Sequence, residues 1–138
     1  GQAKDRKKVI SLYSSVNWIQ VVHPKAYVDP TVQLGAGSVV FAGSIVQADA
    51  VIGEHCIINT GATVDHDCRI GDYVHVCPGV NIAGNVRIKE RAWLGIGVQI
   101  IQDITIGSGA VVGAGATVIR DVPDNAVVMG TPAKECRV

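Results

Sequence analysis

The sequence predicts an all-β fold, a parallel β-helix of roughly 5–6 triangular coils. Three observations carry this. Every sixth residue from Val22, Val28 and Leu34 through to Ile106, Val112 and Val118 is Val, Ile or Leu, with no insertion in the register. Four residues after each comes a second series, from Ala26, Val32, Ser38 and Ser44 to Ala110 and Ala116, in which every residue is small or β-branched. The chain has 16 glycines and only 4% aromatic residues. A core without large rings must be narrow.

Each element follows from this period. Residues 2–15 carry Val9, Ile10, Leu12 and Tyr13 among Lys and Arg, with Val16 just beyond, a pattern of one amphipathic helix. From residue 22 the two inward positions lie two apart, which is the strand period. The residue between them faces outward, and the remaining three of each six turn a corner. Three such units close an 18-residue triangle, and coils stack about 4.8 Å apart. Gly35, Gly53, Gly71 and Gly107 recur on that lattice, with Lys89 in the missing slot. They are expected at corners that use φ > 0. After Val118 the register fails at Asp124, and Asp121-Val122-Pro123-Asp124-Asn125 reads as a turn. The stretch Val127–Lys134 is expected to leave the coil as an extended cap. The organisation is therefore an N-terminal helix and linker over 1–21, a β-helix over 22–122 and a C-terminal tail over 123–138.

Length 138 sets one domain as the prior. Twelve basic and twelve acidic residues give zero formal charge, so nothing draws the chain to nucleic acid or anionic lipid. Apolar residues make up 48% and charged ones 17%, with a mean hydropathy of +0.31, a composition for burial rather than disorder. No stretch approaches the roughly 18 apolar residues of a membrane helix. The start Gln2-Ala3-Lys4-Asp5-Arg6-Lys7-Lys8 is no apolar signal segment. Cys56, Cys68, Cys77 and Cys136 form no CxxC pair. Reduced thiols in the cytoplasm are the expectation. Cys56 and Cys68 fall on inward positions as small fillers.

The lattice sorts outward residues onto three faces. The first carries Tyr27, Ile45, Thr63, Asn81, Gln99 and Thr117; the second Gln33, Val51, Arg69, Arg87 and Thr105; the third Val39, Ile57, His75, Trp93 and Val111. Only the third is apolar along its length, apart from His75. Such a face is expected to be covered by a partner, and a threefold homo-oligomer closes without leftover surface. His66 lies in Val64-Asp65-His66-Asp67-Cys68, at the corner joining the first and second faces. His75 lies on the third face of the same prism. The two cannot meet within a subunit and can meet across a boundary. A corner histidine flanked by Asp65 and Asp67 has the makings of a general base, because a carboxylate fixes the tautomer and holds the imidazolium. The same residues also describe a solvated turn.

The hexapeptide repeats, the run Asn59-Thr60-Gly61-Ala62-Thr63-Val64-Asp65-His66-Asp67-Cys68, the segment Gly71-Asp72-Tyr73-Val74-His75-Val76, Gly113-Ala114-Gly115-Ala116-Thr117 and the tail Gly130-Thr131-Pro132-Ala133-Lys134 together resemble the sialic acid O-acetyltransferase-like sugar acyltransferases. Within that family the chain looks most like the bacterial nucleotide-amino-sugar N-acetyltransferases. The resemblance implies a left-handed β-helix, acetyl transfer from acetyl-CoA, a homotrimer with sites between subunits, and a sugar or nucleotide-sugar acceptor. It implies His66 as base and Asp67 as the acid that raises its basicity, in a position where the family often has Glu. It implies His75 at the acetyl end of acetyl-CoA, Asn59 as an active-site amide, and Ile96 with the backbone around Ala114 along the CoA channel. The family usually carries an N-terminal nucleotide-binding domain, of which Gly1–Ser15 resemble the last glycine and helix.

Two other readings remain open at this level. A zinc hydratase of the carbonic anhydrase β-helix type requires three converging donors. His23, His55, His66 and His75 lack the paired short spacing of that family, so no metal is expected. The other is a non-catalytic β-helix, a scaffold or a truncated relic lacking its acceptor domain, against which stands the retained Asn59/His66/Asp67/His75 set.

Overall fold

The computed structural model describes residues 2–136. Strands of two residues recur every six positions, from β1 (Val21–Val22) to β17 (Thr117–Val118), so each strand is the outward–inward pair that the repeat marks. Neighbouring coils pair in parallel with a register of 18 residues: Ile57 opposite His75 opposite Trp93, Thr63 opposite Asn81 opposite Gln99, and Arg69 opposite Arg87 opposite Thr105. Three sheets result, of eight, six and five strands, and they are the third, first and second faces respectively. The described residues form an all-β parallel solenoid of about six turns with one short helix, the form of a left-handed β-helix.

The interior is one continuous aliphatic column. From Val40 onward the inward Val, Ile and Leu positions up to Val118 are buried, while Val22, with no coil beneath it, is 42% exposed. The second inward series fills the corners. Ser38 and Ser44 hydroxyls donate to the carbonyls of Gly53 and Asn59, and the Cys56 and Cys68 thiols donate to those of Gly71 and Ala83. Every one of these bonds reaches 15 residues ahead into the next coil. The two cysteines thus do the corner work of serines, with a buried polar atom satisfied rather than stranded.

The corners correct the glycine expectation. A positive φ recurs every six residues from Gly37 to Gly115. The lattice glycines Gly35, Gly53, Gly71 and Gly107 are not among those positions. Their requirement is steric: a Cβ on Gly71 would stand 2.6 Å from the backbone nitrogen of Glu90, and one on Gly107 would stand 2.3 Å from that of Asp124. The positive-φ column preceding the second face is Asp49, Asp67, Asn85 and Asp103, residue types that tolerate the left-handed region. Along the edge between the third and first faces, Gly43, Gly61, Gly79, Gly97 and Gly115 hold every such position.

Both ends differ from expectation. The helix, α1 (Ala3–Ser11), stops with Leu12 at its C-cap rather than reaching residue 15. It lies over the third face. Val9 and Ile10, with Trp18, face Val39 and Ile57 across a groove, while Gln2, Ala3 and Lys4 approach Trp93 and Val111. Arg6 donates to the carbonyl of Tyr73, and His55 stacks on Tyr73 and meets Trp18 edge-on. The chain's own helix is therefore the first cover of the apolar face, although α1 buries no residue and leaves Val9 half exposed. At the other end Val127–Met129 does not leave the coil. As β18 it pairs in parallel with Val111–Val112, after a coil shortened from 18 residues to 16 (Ile106 bridges Val122). The cap is β19 (Lys134–Glu135), antiparallel to β18.

Replacing Gly71 by Ala is expected to cost about 1–3 kcal/mol through the backbone clash. Replacing Gly61 by Asn, in open space at φ +66, is expected to cost less. Urea denaturation compares them; equal losses would remove the steric account.

Candidate active site

His66 sits in the middle of the corner that follows the strand Thr63–Val64. The next residue, Asp67, has φ +59, and Asp meets that demand better than a longer residue without local hydrogen bonding. The turn brings the Asp67 carboxylate onto the imidazole: Oδ2 lies 2.9 Å from Nδ1. The Asp65 carboxylate accepts the His66 backbone N–H at 2.8 Å, and the His66 carbonyl accepts the N–H of Asn85 from the next coil at 2.9 Å. Carboxylates accept only, so Nδ1 carries the proton and Nε2 keeps its lone pair in the neutral ring. The hydrogen bond to Asp67 is the main cause that pushes His66 above its ordinary value of 6.5, with the charge of Asp65 adding to it. The ring is 62% exposed in the single chain. The arrangement is a tautomer-locked imidazole whose Nε2 is left as the acceptor.

The other sequence-selected residues gather elsewhere. His75 is outward on the third face, half-buried, with Trp93 edge-on at 6.4 Å. Its Nε2 lies 3.3 Å from Nδ2 of Asn59, whose Oδ1 accepts the Thr60 N–H. Asn59 begins the corner between the third and first faces. Ile96 and Ala114 lie on that same edge, each between two glycines and one coil apart; the Gly115 N–H donates to the Ile96 carbonyl at 2.8 Å. Ile96 is 61% exposed. No side chain at the positive-φ positions shields this edge, and a Cβ on Gly61, Gly79, Gly97 or Gly115 would meet nothing within 4 Å. Asn59, His75, Ile96 and Ala114 thus share one edge of the prism, while His66 and Asp67 occupy the next, at the far side of the first face.

Burial pushes the thiols of Cys56 and Cys68 up to about 11, and that of Cys77 above its usual value, which leaves none as a ready thiolate. Among the described residues no group of three or more His, Cys, Asp or Glu side chains is placed to hold a metal ion. No helix among them is long and apolar enough to cross a membrane. Sequence reasoning passed over Gly84. It stands one coil beyond His66 on the 18-residue lattice and lies directly against the imidazole. That offset was the available signal.

The model for bacterial transferase hexapeptide (six repeats) matches residues 49–84 and 85–120. No curated protein matches this sequence. Among solved structures, a point mutant of GDP-perosamine N-acetyl transferase from Caulobacter crescentus, in complex with CoA and GDP-perosamine, is 42% identical with a TM-score of 0.97, over 99% of this chain and 66% of that one. The acetyltransferase domain of PglB from Neisseria gonorrhoeae FA1090 is 40% identical with a TM-score of 0.94, over 98% of this chain and 67% of that one. That domain is also known in complex with acetyl coenzyme A. WeeI from Acinetobacter baumannii AYE is 32% identical with a TM-score of 0.94, over 98% and 67%. The chain spans about two thirds of the length of these proteins. With its unbroken six-residue period and three-sided coil, the chain belongs to the bacterial transferase hexapeptide family.

Proposed function

We propose that this protein is an acetyl-CoA-dependent acetyltransferase that acts on the amino group of a nucleotide-linked sugar, with His66 as general base. The observation that carries the reading is the 2.9 Å contact between Asp67 and His66 Nδ1, which leaves Nε2 as proton acceptor. Support comes from the relatives: the Caulobacter crescentus protein is bound to CoA and GDP-perosamine, and the Neisseria gonorrhoeae domain to acetyl coenzyme A.

The neutral acceptor amine attacks the thioester carbonyl carbon. A C–N bond forms, the C–S bond breaks, and the amine proton passes to His66 Nε2 and on to the departing CoA thiolate. A positioned base of this kind contributes about 10²–10⁴ in rate. Asp67 holds the ring and offsets the charge of the imidazolium. Asn59 and His75, hydrogen-bonded as a pair, receive the acetyl end. The bare glycine edge past Ile96 and Ala114 is the channel for the pantetheine arm, where the absence of side chains lets a thin ligand approach backbone.

The two halves lie on different edges of one prism, so the reading requires a homotrimer that brings His66 of one copy to Asn59 and His75 of the next. Exposure of the His66–Asp67 pair in the single chain supports this, because a second copy would exclude water from it. Residues 22–122, with the rung at Val127–Met129, form the transferase body, and residues 1–21 form the N-terminal helix and linker, of which α1 lies on the third face. Reduced cysteines and an acetyl-CoA substrate favour the cytoplasm.

His66→Ala is expected to lower acetyl transfer by about 10²–10⁴ with the oligomer intact, read by CoA release on a panel of nucleotide-linked amino sugars. Full activity in that variant would exclude His66 as base. A base must be unprotonated, so kcat/KM is expected to fall as pH drops through the raised His66 value. Asp67→Asn removes the main cause of the rise and moves that acid limb to lower pH; an unmoved limb would assign it to another group. Co-expressed His66→Ala and His75→Ala subunits are expected to recover activity that neither homo-oligomer shows, because mixed oligomers contain an intact shared site. No recovery would place the site within one subunit.

A further inference from the structure

We infer that Gly84 is a positioning residue, whose missing side chain forms the seat that holds the His66 imidazole against Asp67. The inference rests on the reading of His66 as base and deepens it.

Glycine is kept in a chain for one of two physical reasons: a backbone conformation that other residues avoid, or space that a Cβ would occupy. The first does not apply. Gly84 is absent from the positive-φ positions, and its neighbour Asn85 takes the left-handed corner instead. The second applies, as it does at Gly37, where a Cβ would strike the His55 ring but where φ is also positive. A Cβ on Gly84 would stand 2.7 Å from both Cε1 and Nε2 of His66, and 3.3 Å from Cδ2. All three atoms belong to the imidazole. The contrast with the lattice glycines is direct: a Cβ on Gly35, Gly71 or Gly107 strikes backbone of the next coil. Those glycines serve the stacking of the solenoid. Gly84 serves one side chain.

The register explains why the seat is there. Gly84 is 18 residues from His66, so its corner is stacked on the His66 corner, tied by the Asn85 N–H to the His66 carbonyl at 2.9 Å. The imidazole is then held on two sides, by Asp67 at Nδ1 and by the Gly84 backbone at the opposite edge. An added methyl at 84 need not disturb the coil, because an exposed ring can swing away. The swing moves Nε2 and separates Nδ1 from Asp67. Fold and function therefore respond differently to the same methyl group.

The test is Gly84→Ala in the full chain. Thermal melting is expected to match the parent closely. kcat is expected to fall on the order of 10²-fold, as for a misplaced reacting group, with KM for acetyl-CoA within about twofold. An NMR titration of the His66 ring without substrates gives a readout independent of activity. The carboxylates acting on this ring are Asp65 and Asp67. Loss of the Asp67 contact is expected to bring the His66 midpoint down toward that of Asp67→Asn, and Gly84→Ala is expected to add little further loss in the Asp67→Asn background. A variant with parental kcat and an unmoved His66 midpoint would overturn the inference. So would a melt that collapses along with the rate, since that assigns Gly84 to coil stacking. Should His66→Ala itself retain full activity while the midpoint shifts as expected, the base assignment fails and the seat stands.

Discussion

The constraint on which the structure depends is in-register stacking of identical coils. Each backbone strand donates to the coil above and accepts from the coil below, so residue i rests on residue i + 18 until the last coil, where the step is 16. Parallel strands normally require long crossovers, and here the crossover is simply the rest of the triangle. Because the register never slips between Val22 and Val118, an inward position in one coil is inward in all of them. The aliphatic column and the hydrogen-bonded ladders then reinforce each other. Moving the chain by one residue would send every Val, Ile and Leu of the column into water.

The same rule builds the candidate site. A solenoid has edges, and each edge repeats one backbone conformation down its length. The three edges here are furnished differently at their positive-φ positions. One carries Asp and Asn, which satisfy the geometry and supply the carboxylate of Asp67. One is all glycine and offers bare backbone next to Asn59, Ile96 and Ala114. The third holds His55, Tyr73 and Arg91 between Gly37 and Gly109, and of these Tyr73 and Arg91 resist this conformation. There the His55–Tyr73 stack with Trp18, and the bond from Arg91 to Ser108, help to hold them. That edge anchors the N-terminal segment. A single repeating backbone thus yields an edge of carboxylates beside an imidazole, an edge of bare glycine and an attachment edge, distinguished only by side chains.

Assignment of chemistry follows from separation as much as from contact. Asp67 and His66 meet through sequence adjacency, and Asn59 meets His75 through the stacking of coils. Among the described residues nothing joins the two pairs, which stand at opposite margins of the first face. A trimeric arrangement with the site between copies, as proposed, reconciles this separation with one reaction.

From sequence alone the period fixed the two-residue strands, the 18-residue triangle, the inward column, the three faces and the corner position of His66. Each depends only on spacing, and an unbroken spacing transmits without error along the chain. What required the tertiary structure was everything decided by distance between coils. The lattice glycines turned out to answer a steric contact with the following coil rather than a backbone torsion. The stretch Val127–Met129 added a rung because a 16-residue coil still closes, which no six-residue count allows. The helix settled on the apolar face that the sequence had reserved for a partner. The seat beneath the imidazole lay in a residue with no side chain to draw attention. Periodicity reports which way a side chain points; only packing reports what it meets there.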